Sequence, residues 1–320
     1  MIDIRHGEPM RRWTTLRAGG PADRFAIVRD ADSLAAVAIE AFQAGEQMTP
    51  LGWGSNLLVS DRGIRGLVVL NLAAGIEFGP EGEVVAETGI GFQNLFLATA
   101  QMGLGGLEFA VGIPGTLGGA LVSNAGAYRS NVSEFITELE VVDHGVRKWV
   151  TPDFMRFRYR DSILRQEVRP PIVVTQVRMR LPARPGKASY DEARDYQRQR
   201  IGKQPPGASA GSFFKNVYDA DLAGRLPNLR EDLRAAGVVP AGALIEDVGL
   251  KGARYRGASL GQRHANFLLN TGGASATDLR DLAFFSRQRV FDAHGVWLEP
   301  EVLFLGDWID YQPPTSIDLE

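Results

Sequence analysis

The sequence predicts an α+β protein with more than one domain, and three observations support that class. The 320 residues are enough for two or three domains of ordinary size. Hydrophobic residues make up 44% of the chain and charged residues 23%, proportions typical of a globular protein with a large core. Segments with helical periodicity alternate with segments of strand character, and residues 181–186 have the composition of a linker.

The composition excludes several classes of protein. The chain has no cysteine, which excludes disulfides, thiolate zinc sites, iron–sulfur clusters and cysteine nucleophiles. A net charge of −3 argues against a nucleic-acid binder with a broad basic face. The N-terminus lacks the apolar core of a signal peptide and no apolar run approaches roughly 18 residues, so we expect a cytoplasmic protein without a membrane span. No short metal-binding motif is formed by the histidines, which are His6, His144, His264 and His294.

The first third of the chain predicts a strand–helix–strand unit. Apolar residues spaced i, i+3, i+4 and i+7 predict a helix over 33–44, with Asp32 or Ser33 as its cap and Gly45 as its stop. The neighbouring apolar runs predict strands over 24–28, 48–51 and 66–71.

The rest of the chain predicts a second and a third block. In the second block, a helix over 92–102 accompanies strands over 83–87, 136–143 and 172–180. In the third, the capping-box pattern of Ser189 and Glu192 predicts a helix that begins there and runs to about residue 200. A further helix is expected over 277–294 with Thr277 as its cap, and residues 297–305 end in an apolar strand.

Glycine is the unusual feature of the composition, with 37 residues in clusters. Residues 52–56 (GWGSN) follow a strand and can form a nest of backbone N–H groups for a pyrophosphate, although a plain turn is the alternative. Residues 112–128 (GIPGTLGGALVSNAGAY) combine a proline with several glycines and predict a loop that wraps a ligand with main-chain amides. The alternative for that segment is a loop shaped by tight packing.

Three shorter motifs are weak when each is taken alone. In residues 159–162, Arg160 offers a planar fork for a carboxylate that Asp161 could orient, unless the motif is a surface polar cluster. In residues 211–216, Ser212 is either a proton donor in an apolar pocket or a turn serine covered by phenylalanines. Glu299 and Glu301 are either an acid–base pair on one side of an extended strand or a solvated edge pair.

A cluster of basic residues also leaves two interpretations open. A phosphate-bearing substrate would use such a cluster, but an ordinary charged helix face is more common. The cluster consists of Arg194, Arg198, Arg200 and Lys203.

Six segments in this order together resemble the UDP-N-acetylenolpyruvoylglucosamine reductase (MurB) family, which consists of peptidoglycan-pathway flavoenzymes. The resemblance runs from about Thr14 to about Phe304. It implies an FAD-binding fold of the vanillyl-alcohol-oxidase type, with two α/β subdomains and a C-terminal substrate domain of the MurB type. The corresponding segments are 16–22, 54–58, 112–128, 159–162, 211–216 and 298–302.

The resemblance also implies domain boundaries. The first FAD-binding subdomain is expected over 1–72, the second over 73–186 and the substrate domain over 187–302. The tail from about 303 to 320 is expected to pack on the first subdomain. The family further implies a monomer.

The reaction that the resemblance implies is an NADPH-dependent reduction through non-covalent FAD. Flavin N5 would deliver hydride to the enolpyruvyl group of a UDP-sugar, and the product would be UDP-N-acetylmuramate. The residues expected to bind FAD are Gly52, Gly54, Ser55, Asn56, Leu57, Gly112, Ile113, Pro114, Gly115, Thr116, Gly118, Gly119, Asn124, Gly126 and Ala127.

Three residues match the catalytic positions of the family. Arg160 is expected on the substrate carboxylate, and Glu301 as a protonated donor to the enolate, which requires a raised pKa. Ser212 is expected to protonate the α-carbon, which requires a proton relay behind it because a serine hydroxyl is a poor acid. The residues expected to contact the UDP-sugar are Tyr159, Lys203, Asn216 and His264.

Some features depart from the family pattern. Only 53 positions separate Tyr159 from Ser212, which leaves no room for the substrate-covering loop of one branch and predicts the shorter-loop branch (type II). The stretch 222–241 is long for that branch and is a candidate replacement for the lid. Trp53 is atypical within a glycine turn, and either stacks near the cofactor or packs against the protein.

Two other functions compete with this one. One is a different flavoenzyme of the same fold, such as an oxidase of alcohols or sugars. The absence of cysteine, and of histidine from both glycine segments, argues against its covalent-FAD form. The other is a non-catalytic nucleotide-sugar or flavin-binding module, for which the loss of Ser212, Arg160 or Glu301 would be expected.

Overall fold

The chain forms two compact units, each assembled from separated segments. The computed structural model describes residues 3–166, 168–202 and 204–320. Unit 1 contains residues 1–8, 22–54 and 64–202, whereas unit 2 contains residues 9–21, 55–63 and 203–320. The chain therefore contributes two early segments to unit 2 before it completes unit 1. The finer division into 1–72, 73–186 and 187–302 stays a prediction.

Helices and strands alternate through most of the described residues. The strands are β1 (Ile4–Pro9), β2 (Pro21–Val28), β3 (Met48–Leu51), β4 (Leu57–Val59), β5 (Ile64–Asn71), β6 (Ile76–Phe78), β7 (Glu83–Glu87), β8 (Gly126–Ala127), β9 (Ser130–Asn131), β10 (Ile136–Asp143), β11 (Val146–Val150), β12 (Ile172–Arg180), β13 (Ala208–Ser212), β14 (Val217–Tyr218), β15 (Val238–Val239), β16 (Arg254–Tyr255), β17 (Ala258–Leu260), β18 (Phe267–Asn270) and β19 (Leu303–Leu305). The α-helices are α1 (Ala31–Gln43), α2 (Phe92–Gln101), α3 (Leu117–Val122), α4 (Gly186–Ile201), α5 (Ala220–Arg225), α6 (Glu231–Ala235), α7 (Ala241–Asp247) and α8 (Ala276–His294).

Unit 1 is built on two sheets. The first has the strand order β1-β2-β5-β3, and β5 runs parallel to both β2 and β3. The second has the order β11-β10-β12-β7-β6, and all its paired strands are antiparallel. The predicted strands of both blocks are confirmed, those at 83–87, 136–143 and 172–180 with the same bounds. Alternation of apolar and polar residues therefore predicted the second sheet closely.

Helix α1 packs against both sheets of unit 1. Its apolar face, which includes Leu34 and Ala38, shares a core with Val69 of β5 and Val173 of β12. The helix begins earlier than predicted because Asp30, not Asp32 or Ser33, is its cap. The Asp30 carboxylate accepts a hydrogen bond from the Ser33 amide at 2.7 Å, which satisfies one of the free N–H groups of the first turn.

Helix α4 also begins before its predicted start. The predicted cap, Ser189, is completely buried, and its hydroxyl donates to the Glu108 carboxylate at 2.7 Å. Because that hydroxyl is engaged in a tertiary contact, it does not cap the helix, which extends back to Gly186 after Pro185. The capping-box prediction at Ser189 and Glu192 is therefore wrong.

Unit 2 is built on a four-stranded antiparallel sheet and helix α8. The strand order is β13-β18-β17-β16, and α8 packs against β16, β17 and β18. Two short helices, α5 and α6, lie within or beside the stretch 222–241, and the short pair β14–β15 flanks them.

No helix in the described ranges of the chain is long and apolar enough to cross a membrane.

The cap of α8 lies two residues before its predicted position. Ser275, not Thr277, is the cap, and it forms a reciprocal capping box with Asp278. Thr277 is instead engaged by Asp61, whose carboxylate accepts from the Thr277 hydroxyl and amide at 2.7 and 2.8 Å. Asp61 also accepts from the Ala276 amide at 2.9 Å. The free N–H groups at the start of α8 therefore bond to side chains of the capping box and to the carboxylate of Asp61, which comes from a distant part of the sequence.

We expect the replacement of Asp61 by alanine to destabilise unit 2. It removes three hydrogen bonds at the N-terminus of α8, and loss of such a cap typically costs about 1 kcal/mol. The midpoint of thermal unfolding should fall by roughly 2–4 °C. Asp292→Ala, which removes an exposed aspartate from the same helix, is the matched control and should leave the midpoint nearly unchanged. Equal midpoints for the two variants would contradict the capping role.

Candidate active site

The two glycine-rich segments of unit 1 touch each other at Gly52. A Cβ atom on Gly52 would lie 2.5 Å from the Thr116 Oγ1, a distance that no side chain tolerates without movement. Thr116 is itself fixed as the cap of α3, because its hydroxyl accepts from the Gly119 amide at 3.2 Å. Gly52 of the predicted turn therefore packs directly against the Thr116 side chain of the predicted loop, which only glycine allows.

Part of the predicted loop is helical. Residues Leu117–Val122 form α3, so the wrapping segment is interrupted by a regular element. The amides of Leu117 and Gly118 donate to the carbonyls of Ile90 and Thr88, each at 2.8 Å. The amides of Leu117, Gly118 and Gly119 therefore bond within the protein, and the ligand-wrapping role of the segment stays a prediction.

Trp53 lies beside this surface and is partly exposed. Its ring packs over Gly91, where a Cβ atom would lie 2.7 Å from the Trp53 Cη2. The residue keeps 45% of its surface exposed. Trp53 therefore packs against the protein on one side of its ring, and the rest of the ring is accessible.

The motif at 159–162 is fastened to the second glycine segment. Arg160 is half-buried, adopts a left-handed φ of 52°, and donates from Nη2 to the Gly126 carbonyl at 2.7 Å. The Ser162 hydroxyl donates to the Val122 carbonyl, also at 2.7 Å. The Tyr159 ring lies 5.4 Å from the Arg160 guanidinium and is 46% exposed. An isolated surface cluster would not be tied to the glycine segment in this way.

The end of α4 fastens both ends of the same segment, which the sequence did not predict. Arg200 donates from Nη1 to the Gly112 carbonyl at 3.2 Å. Tyr128 stacks on Tyr196 with ring centroids 3.7 Å apart. Burial, and then the hydrogen bond to Glu192, raise the pKa of Tyr196 to about 12, so this phenol stays neutral near pH 7. The helical spacing of Tyr196 and Arg200 was the only signal available in the sequence.

The remaining basic residues of α4 belong to its charged surface. Arg194 pairs with Asp191 at 2.8 Å, and Arg198 pairs with Asp195 at 3.5 Å. Those pairs agree with the interpretation as a charged helix face. Lys203, the fourth residue of the predicted cluster and a predicted substrate contact, lies outside the described residues.

Unit 2 brings the segments of Ser212 and Glu301 together. Ser212 is the last residue of β13 and is half-buried. The next residue, Phe213, donates its amide to the Asn266 carbonyl at 2.7 Å and accepts at its own carbonyl from the Glu301 amide at 2.8 Å. The Asn266 side chain accepts from the Phe214 amide and donates to the Phe214 carbonyl, at 2.9 and 2.8 Å. The stretch after Ser212 is therefore held from both sides.

Glu299 and Glu301 have different surroundings and do not form the acid–base pair that was one interpretation of the motif. The extended strand expected for them is not formed, because β19 begins only at Leu303. The Lys215 amide donates to the Glu299 carbonyl at 2.8 Å, and the Lys215 ammonium pairs with the Glu299 carboxylate at 2.6 Å. The Lys215 side chain is only 10% exposed. Glu299 therefore neutralises a buried lysine, which leaves Glu301 as the candidate acid.

Asn56 connects the first glycine turn to the Glu301 segment. Of the residues predicted there to bind FAD, Gly52 and Gly54 belong to unit 1, whereas 55–57 belong to unit 2. The Asn56 side chain donates to the Glu301 carbonyl at 3.2 Å. The Asn56 carbonyl accepts from the Leu303 amide at 3.0 Å, where β4 begins to pair in parallel with β19.

Asn216 and His264 also lie in unit 2. Asn216 is exposed, and its side-chain oxygen accepts from the Ala241 amide at 3.3 Å. The His264 Nδ1 accepts from the Asn266 amide at 3.3 Å, and its ring lies 5.0 Å from that of Phe267. Both residues thus have local structural contacts besides any role toward a ligand.

Comparison with known families covers both halves of the chain. A family model for the C-terminal domain of UDP-N-acetylenolpyruvoylglucosamine reductase matches residues 202–305. A family model for an FAD-binding domain matches residues 22–146. The predicted α+β class, with an FAD-binding domain followed by a MurB C-terminal domain, is confirmed.

Curated relatives match over nearly the whole chain. The UDP-N-acetylenolpyruvoylglucosamine reductase of Synechococcus sp. (strain JA-3-3Ab) is 37% identical over 96% of this chain and 93% of its own length. The enzyme of the same name from Alkalilimnicola ehrlichii is 39% identical over 95% of each chain. The corresponding protein of Bacillus subtilis is 36% identical over 93% of each chain.

A solved structure agrees with these relatives. The crystal structure of UDP-N-acetylenolpyruvylglucosamine reductase (MurB) from Thermus caldophilus superposes with a TM-score of 0.74 at 30% identity. It covers 95% of this chain and 99% of the Thermus chain. The chain belongs to the UDP-N-acetylenolpyruvoylglucosamine reductase family and is an FAD-dependent oxidoreductase.

Proposed function

We propose that the protein reduces the enolpyruvyl group of UDP-N-acetylglucosamine enolpyruvate to give UDP-N-acetylmuramate, with NADPH as the reductant. The observation that carries the proposal is the 2.8 Å backbone bond from Glu301 to Phe213, which holds a candidate acid beside the strand that ends in Ser212. Family membership supports the UDP-sugar as substrate. A chain without cysteine fits a reducing compartment, which supports the cytoplasm as the place of reaction.

The residues of the glycine segments fit a bound dinucleotide. Gly52 has no side chain and lies directly against Thr116, so no Cβ atom of this residue would separate the turn from a bound dinucleotide. When bound, FAD accepts hydride from NADPH and transfers it to the substrate double bond. The residues that we propose to hold FAD are Gly52, Gly54, Ser55, Asn56, Leu57, Gly112, Ile113, Pro114, Gly115, Thr116, Gly118, Gly119, Asn124, Gly126 and Ala127.

Arg160 acts as the counter-charge for the substrate carboxylate. Negative charge accumulates on this carboxylate and the α-carbon as the double bond is reduced, and a fixed cation lowers the energy of that state. The hydrogen bond from Arg160 to the Gly126 carbonyl restrains the guanidinium before substrate arrives. The arginine therefore loses less conformational freedom on binding than an unrestrained side chain would.

Ser212 supplies the one proton that the reaction needs at the α-carbon, and Glu301 stabilises the negative charge that develops before that transfer. A protonated Glu301 donates a hydrogen bond to the developing enolate. Ser212 then transfers its hydroxyl proton as the new C–H bond forms, and the resulting alkoxide recovers a proton from solvent through a relay. Tyr159, Asn216, His264 and Lys203 are the residues that we propose to contact the rest of the UDP-sugar.

A single anaerobic titration tests the proposed reaction. The purified protein with bound FAD should absorb in the visible range, bleach when NADPH is added, and recover its colour when UDP-N-acetylglucosamine enolpyruvate follows. Recovery identifies this substrate as the oxidant of the reduced enzyme. Bleaching without recovery would contradict the proposed substrate, and the absence of bleaching would contradict NADPH as the reductant.

Ser212→Ala should separate the two half-reactions. The variant should bind FAD and be reduced by NADPH at the wild-type rate, because the hydroxyl is needed only for the later proton transfer. Reoxidation by substrate should slow by about 10²–10⁴-fold, as expected for the loss of a general acid. Stopped-flow absorbance measures both steps, with Ser209→Ala on the same strand as control. Normal reoxidation of Ser212→Ala would refute the proton-donor role.

Gly52→Ala should weaken FAD binding. The added methyl group has to displace Thr116, and such overpacking typically costs about 1–3 kcal/mol. The dissociation constant for FAD should therefore rise by about tenfold or more. Titration of the apoprotein with FAD, followed by flavin fluorescence, measures it. Gly224→Ala, where no atom lies within 4 Å of the new methyl, is the control; equal affinities in both variants would contradict the close approach.

A further inference from the structure

We propose that the side chain of Asn56 is a positioning residue for Glu301, so that a residue of the glycine turn acts on the proton-donating side of the site. The inference rests on the proposed function, because the role of Glu301 belongs to that function. It differs from the assignment of Asn56 as an FAD ligand, since here the side-chain amide serves the protein itself.

Asn56 contacts the Glu301 segment at two points. Its Nδ2 donates to the Glu301 carbonyl at 3.2 Å, and its own carbonyl accepts from the Leu303 amide at 3.0 Å. One residue therefore spans the chain from Glu301 to Leu303. The second contact continues into the parallel pairing of β4 with β19, which begins at Leu57 and Leu303.

The backbone N–H groups of the Glu301 segment are bound to Phe213, the residue that follows Ser212. The amides of Glu301 and Val302 both donate to the Phe213 carbonyl, at 2.8 and 3.4 Å. Glu301 is thus held through its N–H by the residue after Ser212 and through its C=O by Asn56. Because Glu301 precedes β19, the strand ladder does not supply the second of these bonds.

This arrangement fixes the direction in which the Glu301 side chain leaves the backbone. Glu301 lies between two peptide groups, and the N–H of the first and the C=O of the second are both hydrogen-bonded, so rotation of the backbone on either side of its Cα would break one of these bonds. Two groups that act on neighbouring atoms of one substrate tolerate little displacement, and an error of about 1 Å can cost about 10²-fold in rate. Asparagine suits the position because its amide is an uncharged donor to a carbonyl.

The test compares Asn56→Leu and Asn56→Asp with wild type in separate half-reactions. Leucine keeps the approximate size and removes the donor, and aspartate places an acceptor against the Glu301 carbonyl. In protein saturated with FAD, reduction by NADPH serves as the internal reference, and reoxidation by substrate should slow relative to it by about 10–100-fold in both variants. Asn270→Leu is the matched control, because it removes a similar bond in the same unit, to the Leu16 carbonyl at 2.9 Å.

A double-mutant cycle shows whether Asn56 acts through Glu301. Asn56→Leu should add less than about threefold to the slow reoxidation of Glu301→Ala, because the group that it positions is already absent. Fully additive effects, a loss of FAD affinity with normal reoxidation, or an equal defect in Asn270→Leu would each overturn the proposal. Normal reoxidation of Glu301→Ala would instead refute the role of Glu301 in the proposed function, and the positioning role with it.

Discussion

The arrangement of unit 2 depends on the backbone hydrogen bonds between residues 213–215 and 299–302. Phe213 and Lys215 each form a short bond to this C-terminal stretch, and Phe214 pairs with Pro300. The phenylalanine rings are buried on the core side, with their centroids 5.1 Å apart. Burial of the phenylalanine rings therefore holds residues 213–215 on the core, and the backbone hydrogen bonds set their register against residues 299–302. Ser212 and Glu301 owe their proximity to this pairing.

In unit 1, glycine allows close approaches between separate segments of the chain. Glycine at position 52 lets the first turn reach Thr116, and glycine at position 118 lets α3 approach the Thr88 carbonyl, where a Cβ atom would lie at 3.1 Å. Two arginines also restrain the second glycine-rich segment. Arg160 and Arg200 donate to the carbonyls of Gly126 and Gly112, so two long side chains restrain this glycine-rich segment.

Sequence reasoning succeeded where local pattern decides structure and failed where tertiary contacts do. Strands β10 and β12 were predicted with their observed bounds because their apolar alternation is a local property. The caps of α4 and α8 were predicted wrongly, because Ser189 and Thr277 bond to residues far along the chain. The contact of Asn56 with Glu301 spans 245 positions, and no spacing rule reaches that far.

The candidate site shows the same division. Motif order predicts the glycine segments and Arg160, Ser212 and Glu301 as site residues, and these stay predictions, whereas the residues that hold their backbone in place were not predicted. Asn266 looks like any polar residue in the sequence, yet its side chain replaces a strand partner for Phe214. Such roles arise only when the chain has folded, because they depend on which backbone groups lack a partner at that place.

The interleaving of the two units has a consequence for how the chain is made. Strand β4 is synthesised long before its parallel partner β19, because residues 60–302 lie between them. The entropy cost of closing this long loop opposes the pairing, and unit 2 cannot acquire its native topology until β19 has been made. Unit 1 draws all its residues from the first 202 and can fold first. Residues 9–21 and 55–63 are synthesised before the rest of unit 2, and unit 2 is complete only when the segment that begins at residue 203 has been made.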